Sequence, residues 1–514
     1  MISTVPASVE VLLFSSVPSR FKQHCEWIPL DQTPILAALQ RIVQTNRLPL
    51  HVPGHRQGRG LPEDLGRWLG PAAKLDLTEL PGLDNLHHPE GCILASQRLA
   101  AAHYGAEETL YSVNGSTAGV MAAIMATAQG KQVVMAVPFH ESAWRGLVMA
   151  DASPVFLPGT FDLDCLEWLP PTPDSLDSLL ARLNGMGTEV AAVYVTSPTY
   201  TGIVAPVARY AEIAHRYGAT LLVDEAHGAH FGLIDLLPPH SVACGADVVV
   251  QSVHKMLPGL TQTAWVHRQG GRVEGQALTD ALRLLLSTSP SYLLLASLDA
   301  AQAWLRTRGA KQAGSAMAAT KALREKGFAI PVGYHRDPLR HWLPTGSLVA
   351  SRILAKTLEM SGAYVEYADA QGVLSVFGLF TTAREVDEYI RIIGKAGYGL
   401  SGCCRSLGEK NGFVSGGQLR TNGWRELQDL SLAPKLVLRP RQVWQSRHEW
   451  MNPMQAVGRI AGEAIVPYPP GVPLVYPGQV LTEAVCKALN RVRQDGYDVQ
   501  GIDSRGQVAV VAGE

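Results

Sequence analysis

The fold is decided by two stretches of the sequence, Thr220-Leu-Leu-Val-Asp-Glu-Ala-His-Gly228 and Asp247-Val-Val-Val-Gln-Ser-Val-His-Lys255. Each begins with a short apolar run that predicts a buried parallel strand, over Thr220–Val223 and over Asp247–Gln251. The first predicted strand leads into the carboxylate of Asp224, and the second leads into the amine of Lys255. Ligands of open α/β sheets bind at the carboxyl ends of the strands, so we expect both groups in one site.

A carboxylate and an amine at neighbouring strand ends suit the cofactor pyridoxal 5′-phosphate. This cofactor is bound through a lysine amine and needs an acidic partner for its pyridine nitrogen. In the alternative interpretation, Asp224 caps a turn and Lys255 is a solvated surface lysine. A lysine directly after so apolar a strand favours the cofactor interpretation.

Size and composition restrict the class of protein. A chain of 514 residues with 46% hydrophobic residues and a formal net charge of −1 predicts two to four domains and a large core. The near-neutral charge gives no electrostatic reason to expect a nucleic-acid partner or an anionic membrane, and no apolar run is long enough to span a bilayer. Seven scattered cysteines without a CxxC pair indicate reduced thiols, and therefore a cytoplasmic protein without a metal site.

Strand and helix patterns alternate between residues 109 and 255, which predicts one parallel sheet with right-handed crossovers. The clearest predicted strands are 109–113, 132–137 and 190–196, and the clearest predicted helices are 34–45, 93–103 and 206–217. A further helix is predicted from Tyr292 to about Arg306. We divide the chain into an N-terminal extension (1–30), a large domain (31–306), a small α/β domain (307–400), and a linker with a C-terminal domain (401–514).

Two loops at predicted strand ends carry further candidate residues. Gly115, Ser116 and Thr117 lie where a strand passes into an Ala-rich helix, and small hydroxyl residues at a helix N-terminus are suited to hold a phosphate. Ordinary capping of the helix is the alternative. His140 follows the strand 132–137, where we expect it to stack on a ring or transfer a proton.

Together these residues resemble the Orn/Lys/Arg decarboxylase family of fold type I pyridoxal phosphate enzymes, over roughly residues 31–500. The matching motifs are His51-Val-Pro-Gly-His55, Thr78-Glu79, Leu83-Asp-Asn-Leu86, Val113-Asn-Gly-Ser-Thr117, Ser197-Pro-Thr-Tyr200, the two opening stretches, Thr288-Ser-Pro-Ser-Tyr292 and Pro467-Tyr-Pro-Pro-Gly471. The resemblance implies an aspartate aminotransferase-like large domain with a mostly parallel sheet, together with smaller α/β and C-terminal domains. It also implies decarboxylation of arginine, lysine or ornithine to an amine that serves polyamine biosynthesis.

The resemblance assigns a role to each candidate residue. Lys255 would bind the cofactor covalently, Asp224 would pair with its pyridine nitrogen, and His227 would lie near its phenolic oxygen. His140 and Ala226 would contact the two faces of the ring. The phosphate would be held by Ser116, Thr117, Ser252 and His254, in part from the loop that contains Gly115. After carbon dioxide leaves, Lys255 or His140 would return a proton to Cα.

The resemblance also implies a homodimer or higher homo-oligomer, in which Thr288 or Ser289 reaches the phosphate of the partner subunit. The sequence is expected to lack the N-terminal wing domain of the long forms. It departs from the family at Gln479, where a glutamate is usual, and at Val137-Pro-Phe139 before the stacking histidine.

A basic substrate side chain needs carboxylates, because a buried unpaired cation is costly. Glu79 and Asp84 are the candidates nearest in the sequence. Two other functions remain open at this point: a different fold type I activity, such as that of an aminotransferase or an aldolase, and a catalytically silent regulatory homologue.

Overall fold

The computed structural model describes residues 32–162, 165–327, 333–369, 371–398, 435–468, 473–494 and 498–513. The predicted N-terminal extension and most of the predicted linker after residue 400 lie outside these ranges. Within them, no helix has both the length and the apolar composition that crossing a bilayer requires.

Strands and helices are numbered in chain order. The strands are β1 (Glu108–Ser112), β2 (Gln132–Val137), β3 (Ser153–Pro158), β4 (Thr160–Asp162), β5 (Glu167–Leu169), β6 (Val190–Thr196), β7 (Ile203–Val204), β8 (Thr220–Asp224), β9 (Val248–Ser252), β10 (Ala264–Arg268), β11 (His335–Arg336), β12 (Arg340–Pro344), β13 (Tyr367–Ala368), β14 (Gly372–Val376), β15 (His448–Met451), β16 (Val466–Tyr468), β17 (Asp498–Gln500) and β18 (Val508–Val511). The α-helices are α1 (Pro34–Thr45), α2 (Glu63–Leu69), α3 (Cys92–Tyr104), α4 (Gly115–Ala128), α5 (Glu141–Ala150), α6 (Pro173–Gly185), α7 (Val207–Arg216), α8 (Val253–Met256), α9 (Gly275–Leu285), α10 (Tyr292–Trp304), α11 (Ala310–Ala319), α12 (Lys321–Gly327), α13 (Leu348–Met360), α14 (Ala383–Lys395), α15 (Pro440–Gln445) and α16 (Glu483–Gln494). A 3₁₀ helix spans Gly70–Leu75, and a π-helical turn over Leu305–Gly309 joins α10 to α11.

The large sheet has seven strands in the order β1-β10-β9-β8-β6-β2-β3. Five of them, from β9 to β3, run parallel, as predicted. β1 lies at the far edge and pairs with β10, which is antiparallel both to β1 and to β9, so β1 runs in the same direction as these five strands without pairing with any of them. An alternation of strands and helices in the sequence predicts which segments are strands, but it does not predict which strands pair. The neighbour of β1 is β10, which comes after all the parallel strands in the sequence.

Both faces of the large sheet are covered, which explains the uninterrupted apolar runs. Val248 and Val250 of β9 belong to one buried cluster, together with apolar residues of α3, α4 and α10. Val249, which points to the other face, belongs to a second cluster with residues of α6 and α7. Successive side chains of a strand alternate between the faces, so a sheet covered on both sides needs apolar residues at every position.

Helix α4 packs closely on the large sheet at Gly119. A Cβ atom at this position would lie 2.7 Å from Cγ2 of Val266 and 2.8 Å from Cγ1 of Val250. Both valines are fully buried in β10 and β9. Because Gly119 has no side chain, α4 can pack this close to the sheet. The same contact sets the distance between the sheet and Ser116 at the start of the helix.

The N-terminus of α1 is fixed by a residue far away in the sequence. Thr33 occupies the position before the helix, but its side chain makes no capping hydrogen bond. Instead the Asp299 carboxylate of α10 accepts the backbone N–H groups of Ile35 and Leu36, at 2.9 and 3.0 Å. This contact attaches the start of the described chain to the core of the large sheet.

Two smaller units follow the large sheet. The small sheet (β12-β14-β13) packs against α13 and α14 around its own apolar cluster. The C-terminal unit (residues 435–513) has a further cluster of its own, formed with α16. Its Tyr476 stacks on Phe139 and Phe156 beside the large sheet, with ring centroids 5.0 and 4.6 Å apart. The predicted domain boundaries remain a proposal.

Candidate active site

A cavity of about 380 Å³ lies at the carboxyl ends of β6, β8 and β9. Asp224 and Lys255 both line it, so the structure brings the ends of the two opening stretches to one cavity. The parallel pairing of β8 with β9 brings their ends to the same edge, so residues that are distant in sequence meet there. Ser116, His140 and His227 line the same cavity.

Asp224 is buried, with 4% of its surface exposed. One carboxylate oxygen accepts the hydroxyl of Tyr194 at 2.9 Å, and the other accepts the backbone N–H of Ala226 at 3.1 Å. Neither donor carries a charge. The carboxylate is therefore held in place by neutral donors while it faces the cavity, and it can pair with a cationic or N–H group of a ligand.

Lys255 and Arg340 contact opposite nitrogen atoms of the His227 ring. The Arg340 guanidinium, from the first residue of β12, donates to Nδ1 of His227 and, at 2.6 Å, to the backbone carbonyl of Tyr200. The Nζ atom of Lys255 lies 3.0 Å from Nε2 of the same ring. A guanidinium can only donate, so Nδ1 must accept and the proton of a neutral ring must sit on Nε2.

The position of the proton on the His227 ring bears on the charge of Lys255. Burial lowers the pKa of His227 well below its ordinary value, and the charge of Arg340 lowers it further. A neutral His227 that donates from Nε2 requires Nζ of Lys255 to accept. Burial also lowers the pKa of Lys255, although Asp224 acts in the opposite direction. The geometry thus favours a lysine with an available electron pair, which is the form that attacks an aldehyde.

The start of α4 provides a site for an anion beside this lysine. Gly115 has a φ of +74°, a conformation that glycine adopts without strain, and it opens the helix. Ser116 follows it, and its hydroxyl accepts a hydrogen bond from the Ser252 hydroxyl at 2.8 Å. The first N–H groups of a helix have no partner within the helix, so two hydroxyls beside them suit a phosphate.

His140 precedes α5 and lines the cavity. Its Nδ1 atom accepts the backbone N–H of Ser142 at 3.1 Å and lies 2.9 Å from the hydroxyl of the same residue. These contacts fix the orientation of the ring. Ala226 also lines the cavity, so both residues predicted to contact the faces of a cofactor ring reach the same space.

Several other predicted residues lie beside the cavity or away from it. Ser252 is fully buried and reaches the cavity through Ser116, while Nδ1 of His254 contacts the carbonyl of Thr263 at 3.0 Å. Thr117 is half-buried in the first turn of α4. Thr288 and Ser289 are exposed, so their predicted contact with a partner subunit stays a prediction.

The prediction that Asp84 binds the substrate is wrong in this structure. Its two oxygens accept backbone N–H groups of Asn85, Glu90, Gly91 and Ile93, at 2.7–3.0 Å. These bonds hold the start of α3, which is a structural role. Glu79 accepts the hydroxyl of its neighbour Thr78 at 2.7 Å and is not among the residues that line the cavity.

The sequence reasoning missed the residues that the small sheet and the β4–β5 hairpin bring to the cavity. Arg340 is one, and the carboxylates of Glu167 and Asp369 are two others. No spacing in the sequence connects these residues to Lys255. Tyr194 did give a signal, because it is a hydroxyl-bearing residue inside an otherwise apolar predicted strand.

These residues fit pyridoxal 5′-phosphate. The donor set contains a lysine favoured in its neutral form, a buried carboxylate without a charged donor, two hydroxyls at a helix N-terminus and an oriented imidazole. Each corresponds to a different part of the cofactor: its aldehyde, its pyridine nitrogen, its phosphate and the face of its ring.

Comparison with known proteins gives a consistent result. The family model described as the Orn/Lys/Arg decarboxylase major domain matches residues 33–327, and that of the C-terminal domain matches residues 420–502. The uncharacterized protein YaaO of Bacillus subtilis is 31% identical in an alignment of 486 residues that covers 91% of this chain and 96% of that protein. The arginine decarboxylase of Halalkalibacterium halodurans is 28% identical in an alignment of 503 residues that covers 92% of this chain and 95% of that enzyme.

Among solved structures, the Francisella novicida lysine decarboxylase LdcF superposes with a TM-score of 0.75 at 18% identity. The superposition covers 93% of this chain and 81% of that one. This likeness confirms the predicted fold class, that of the fold type I enzymes.

Proposed function

Because the chain belongs to the Orn/Lys/Arg decarboxylase family, we propose that it decarboxylates L-arginine, releasing carbon dioxide and agmatine. The chain is a pyridoxal phosphate-dependent amino acid decarboxylase, and the choice of arginine is the part that we propose. The observation that carries the proposal is the cavity that Lys255 and Asp224 share. Arginine is preferred to lysine because the arginine decarboxylase of Halalkalibacterium halodurans is 28% identical and aligns along 95% of its own length, whereas the constitutive lysine decarboxylase of Escherichia coli is 24% identical and aligns along 77% of its length.

Pyridoxal 5′-phosphate, when bound, supplies a sink for the electron pair that the departing carboxylate leaves on Cα. The residues that would hold it are Lys255 at the aldehyde, Asp224 at the pyridine nitrogen, and Ser116 and Ser252 at the phosphate. His140 and Ala226 would contact the two faces of its ring. Gly115, Thr117 and His254 would support the phosphate site from neighbouring positions.

The side chains of this protein prepare the site before the substrate arrives. His227, held by Arg340, donates to Nζ of Lys255 and leaves that amine neutral and oriented. The buried Asp224 favours a proton on any nitrogen that faces it, since a carboxylate in a dry site stabilises an N–H donor. Lys255 or His140 is placed to return a proton to Cα after carbon dioxide has left.

A dimer is the assembly that we propose for this enzyme. Helix α2 contains no buried residue, and Trp68 on it is 90% exposed, while Leu48 and Leu50, in the segment between α1 and α2, are also exposed. A short helix gains little stability without packing, so this segment suits a contact with a second copy. The product amine would be a precursor of polyamines.

The test uses the purified protein loaded with cofactor and supplied separately with L-arginine, L-lysine and L-ornithine. We expect carbon dioxide and agmatine from arginine, identified by mass spectrometry, and no product from a Lys255→Ala control. Cadaverine or putrescine as the main product would replace arginine by lysine or ornithine. A keto acid in place of carbon dioxide would contradict decarboxylation.

A further inference from the structure

The cavity is formed by two different parts of the fold. Asp224 and Lys255 belong to the large sheet and the helix after it, whereas Trp342, Tyr367 and Asp369 belong to the small sheet and its connecting turn. A substrate bound at Lys255 would extend its side chain toward the residues of the small sheet. Those residues therefore decide which side chain the cavity accepts.

Two carboxylates line this cavity in addition to Asp224. Glu167 already has a cationic partner, because it is buried against the guanidinium of Arg336. Its second oxygen accepts the hydroxyl of Thr201 at 2.7 Å. Its charge is therefore neutralised by the protein, and it has little capacity left for a cation from outside.

Asp369 lines the cavity without such a partner. It is 1% exposed, and one of its oxygens accepts the backbone N–H groups of Gln371 and Gly372, both at 2.8 Å. In the orientation that satisfies both side chains, the amide nitrogen of Gln371 donates to the two carboxylate oxygens at 3.0 and 2.9 Å. Among the residues that the structure describes, no lysine, arginine or histidine forms an ion pair with Asp369.

A buried carboxylate without a cation is an unfavourable arrangement. Burial raises the pKa of Asp369 to about 7, although the backbone donors of Gly372 and Gln371 oppose this shift. A cation that entered the cavity would regain the energy lost on burial, because a paired buried charge costs less than an unpaired one. The carboxylate of Asp369 is therefore a buried acceptor that a positive charge in the cavity would stabilise.

The surroundings of Asp369 also suit a long cationic side chain. Trp342 and Tyr367 line the same cavity with ring centroids 5.9 Å apart, and Trp168 lines it from the β4–β5 hairpin. Aromatic faces attract guanidinium and ammonium groups, and they exclude water from the methylene chain that carries them. A neutral polar side chain with the same methylene chain would gain only the second of these contributions.

We propose that Asp369 binds the distal cation of the substrate and so restricts the decarboxylase to basic amino acids. The inference rests on the proposed function, since it names the contact that selects the substrate of that reaction. Asp369 would take the role that the sequence assigned to Glu79 and Asp84.

The competing interpretation is that Asp369 only stabilises the turn between β13 and β14. Asp369→Asn separates the two, because an asparagine oxygen still accepts the N–H groups of Gln371 and Gly372 but carries no charge. Asp369→Ser is a second variant, since a hydroxyl supports the same turn from a smaller side chain. The matched control is Asp387→Asn, which removes one carboxylate from the exposed face of α14 on the same sheet.

The experiment compares each basic amino acid with its neutral analogue: arginine with citrulline, lysine with norleucine and ornithine with norvaline. Removing one charge-assisted hydrogen bond costs about 30-fold, so we expect Asp369→Asn to lower kcat/KM for the basic substrate by that factor. For the neutral analogue, kcat/KM should change less than about threefold. The preference of the enzyme for the basic substrate should therefore be largely lost. The thermal midpoint should stay near that of the wild type, and Asp387→Asn should change neither quantity.

A binding measurement separates this inference from the proposed function. Calorimetry on the cofactor-free protein, with agmatine, cadaverine and putrescine as probes, should show tighter binding to the wild type than to Asp369→Asn or Asp369→Ser. If the wild type decarboxylates no basic amino acid, the proposed function fails and this binding difference alone decides the role of Asp369. Equal substrate preference in the two proteins, or equal affinity for the amines, would overturn the inference.

Discussion

Gly119 tests whether the position of α4 fixes the phosphate end of the site. The change is Gly119→Ala, which adds one methyl group where α4 meets the large sheet. That methyl would lie 2.7 Å from Val266 and 2.8 Å from Val250, whereas carbon atoms in contact prefer about 3.5–4.0 Å. Both valines are buried in the sheet and cannot turn toward solvent.

The magnitude follows from comparison with a glycine that has space around it. Gly314 lies inside α11, and a Cβ atom built on it meets nothing within 4 Å. Both substitutions gain about 1 kcal/mol of helix propensity, because each replaces glycine by alanine in a helix. Only Gly119→Ala also overpacks the core, at a cost of about 2 kcal/mol. The difference in free energy of unfolding between the two variants should therefore be about 2 kcal/mol.

The assay is denaturant unfolding of the cofactor-free variants, followed by circular dichroism. We expect Gly314→Ala to unfold at higher denaturant concentration than the wild type and Gly119→Ala at lower concentration. Moving α4 outward also carries Ser116 away from Ser252, so the affinity for pyridoxal 5′-phosphate should fall in Gly119→Ala alone. A Gly119→Ala protein as stable as Gly314→Ala, with unchanged cofactor affinity, would refute the reasoning.

Four further predictions test individual residues. Borohydride reduction of the loaded protein, followed by peptide mapping, should find the cofactor on Lys255, and a label on another lysine would contradict the assignment. Asp224→Asn should retain the cofactor but lower kcat at least ~100-fold, a loss of about 3 kcal/mol, and a near-normal kcat would remove the role of this carboxylate. Arg340→Gln removes a cation that lowers the pKa of Lys255, so the pH at which the lysine of the cofactor-free protein reacts with an acylating reagent should rise. Asp84→Ala should lower the free energy of unfolding by about 2 kcal/mol, because it leaves buried N–H groups at the start of α3 without partners, while KM for arginine stays unchanged.

Patterns of apolar residues predicted most of the large sheet. The strands β2 and β6 and the helix α1 have the predicted bounds, because each is a continuous or periodic apolar segment. The pairing of β1 was not predictable in the same way. A short apolar strand carries no mark of its neighbour, and β1 pairs with a strand more than 150 residues later.

The same distinction separates the site residues that the sequence could predict from those that it could not. Asp224 and Lys255 could be identified because Asp224 ends one buried strand and Lys255 lies three residues past the end of the next, and the topology of a parallel sheet then brings them together. Arg340 and Asp369 could not, because they reach the cavity from a different sheet whose position depends on tertiary packing. Asp84 was assigned to the site by the sequence, but in the structure it holds the start of α3. The sequence could not separate these roles, since an acidic residue in a polar loop is equally suited to bind a cation or to cap a helix.

A cavity formed by two sheets with separate apolar cores has a consequence for how such an enzyme can diversify. Residues around Lys255 are constrained by every atom of a cofactor, so substitutions there would abolish the reaction. Residues around Asp369 contact only the far end of whatever is bound. A lineage that carries this fold could therefore exchange one substrate for another by altering a single turn on the small sheet, while the residues that break the bond are inherited unchanged.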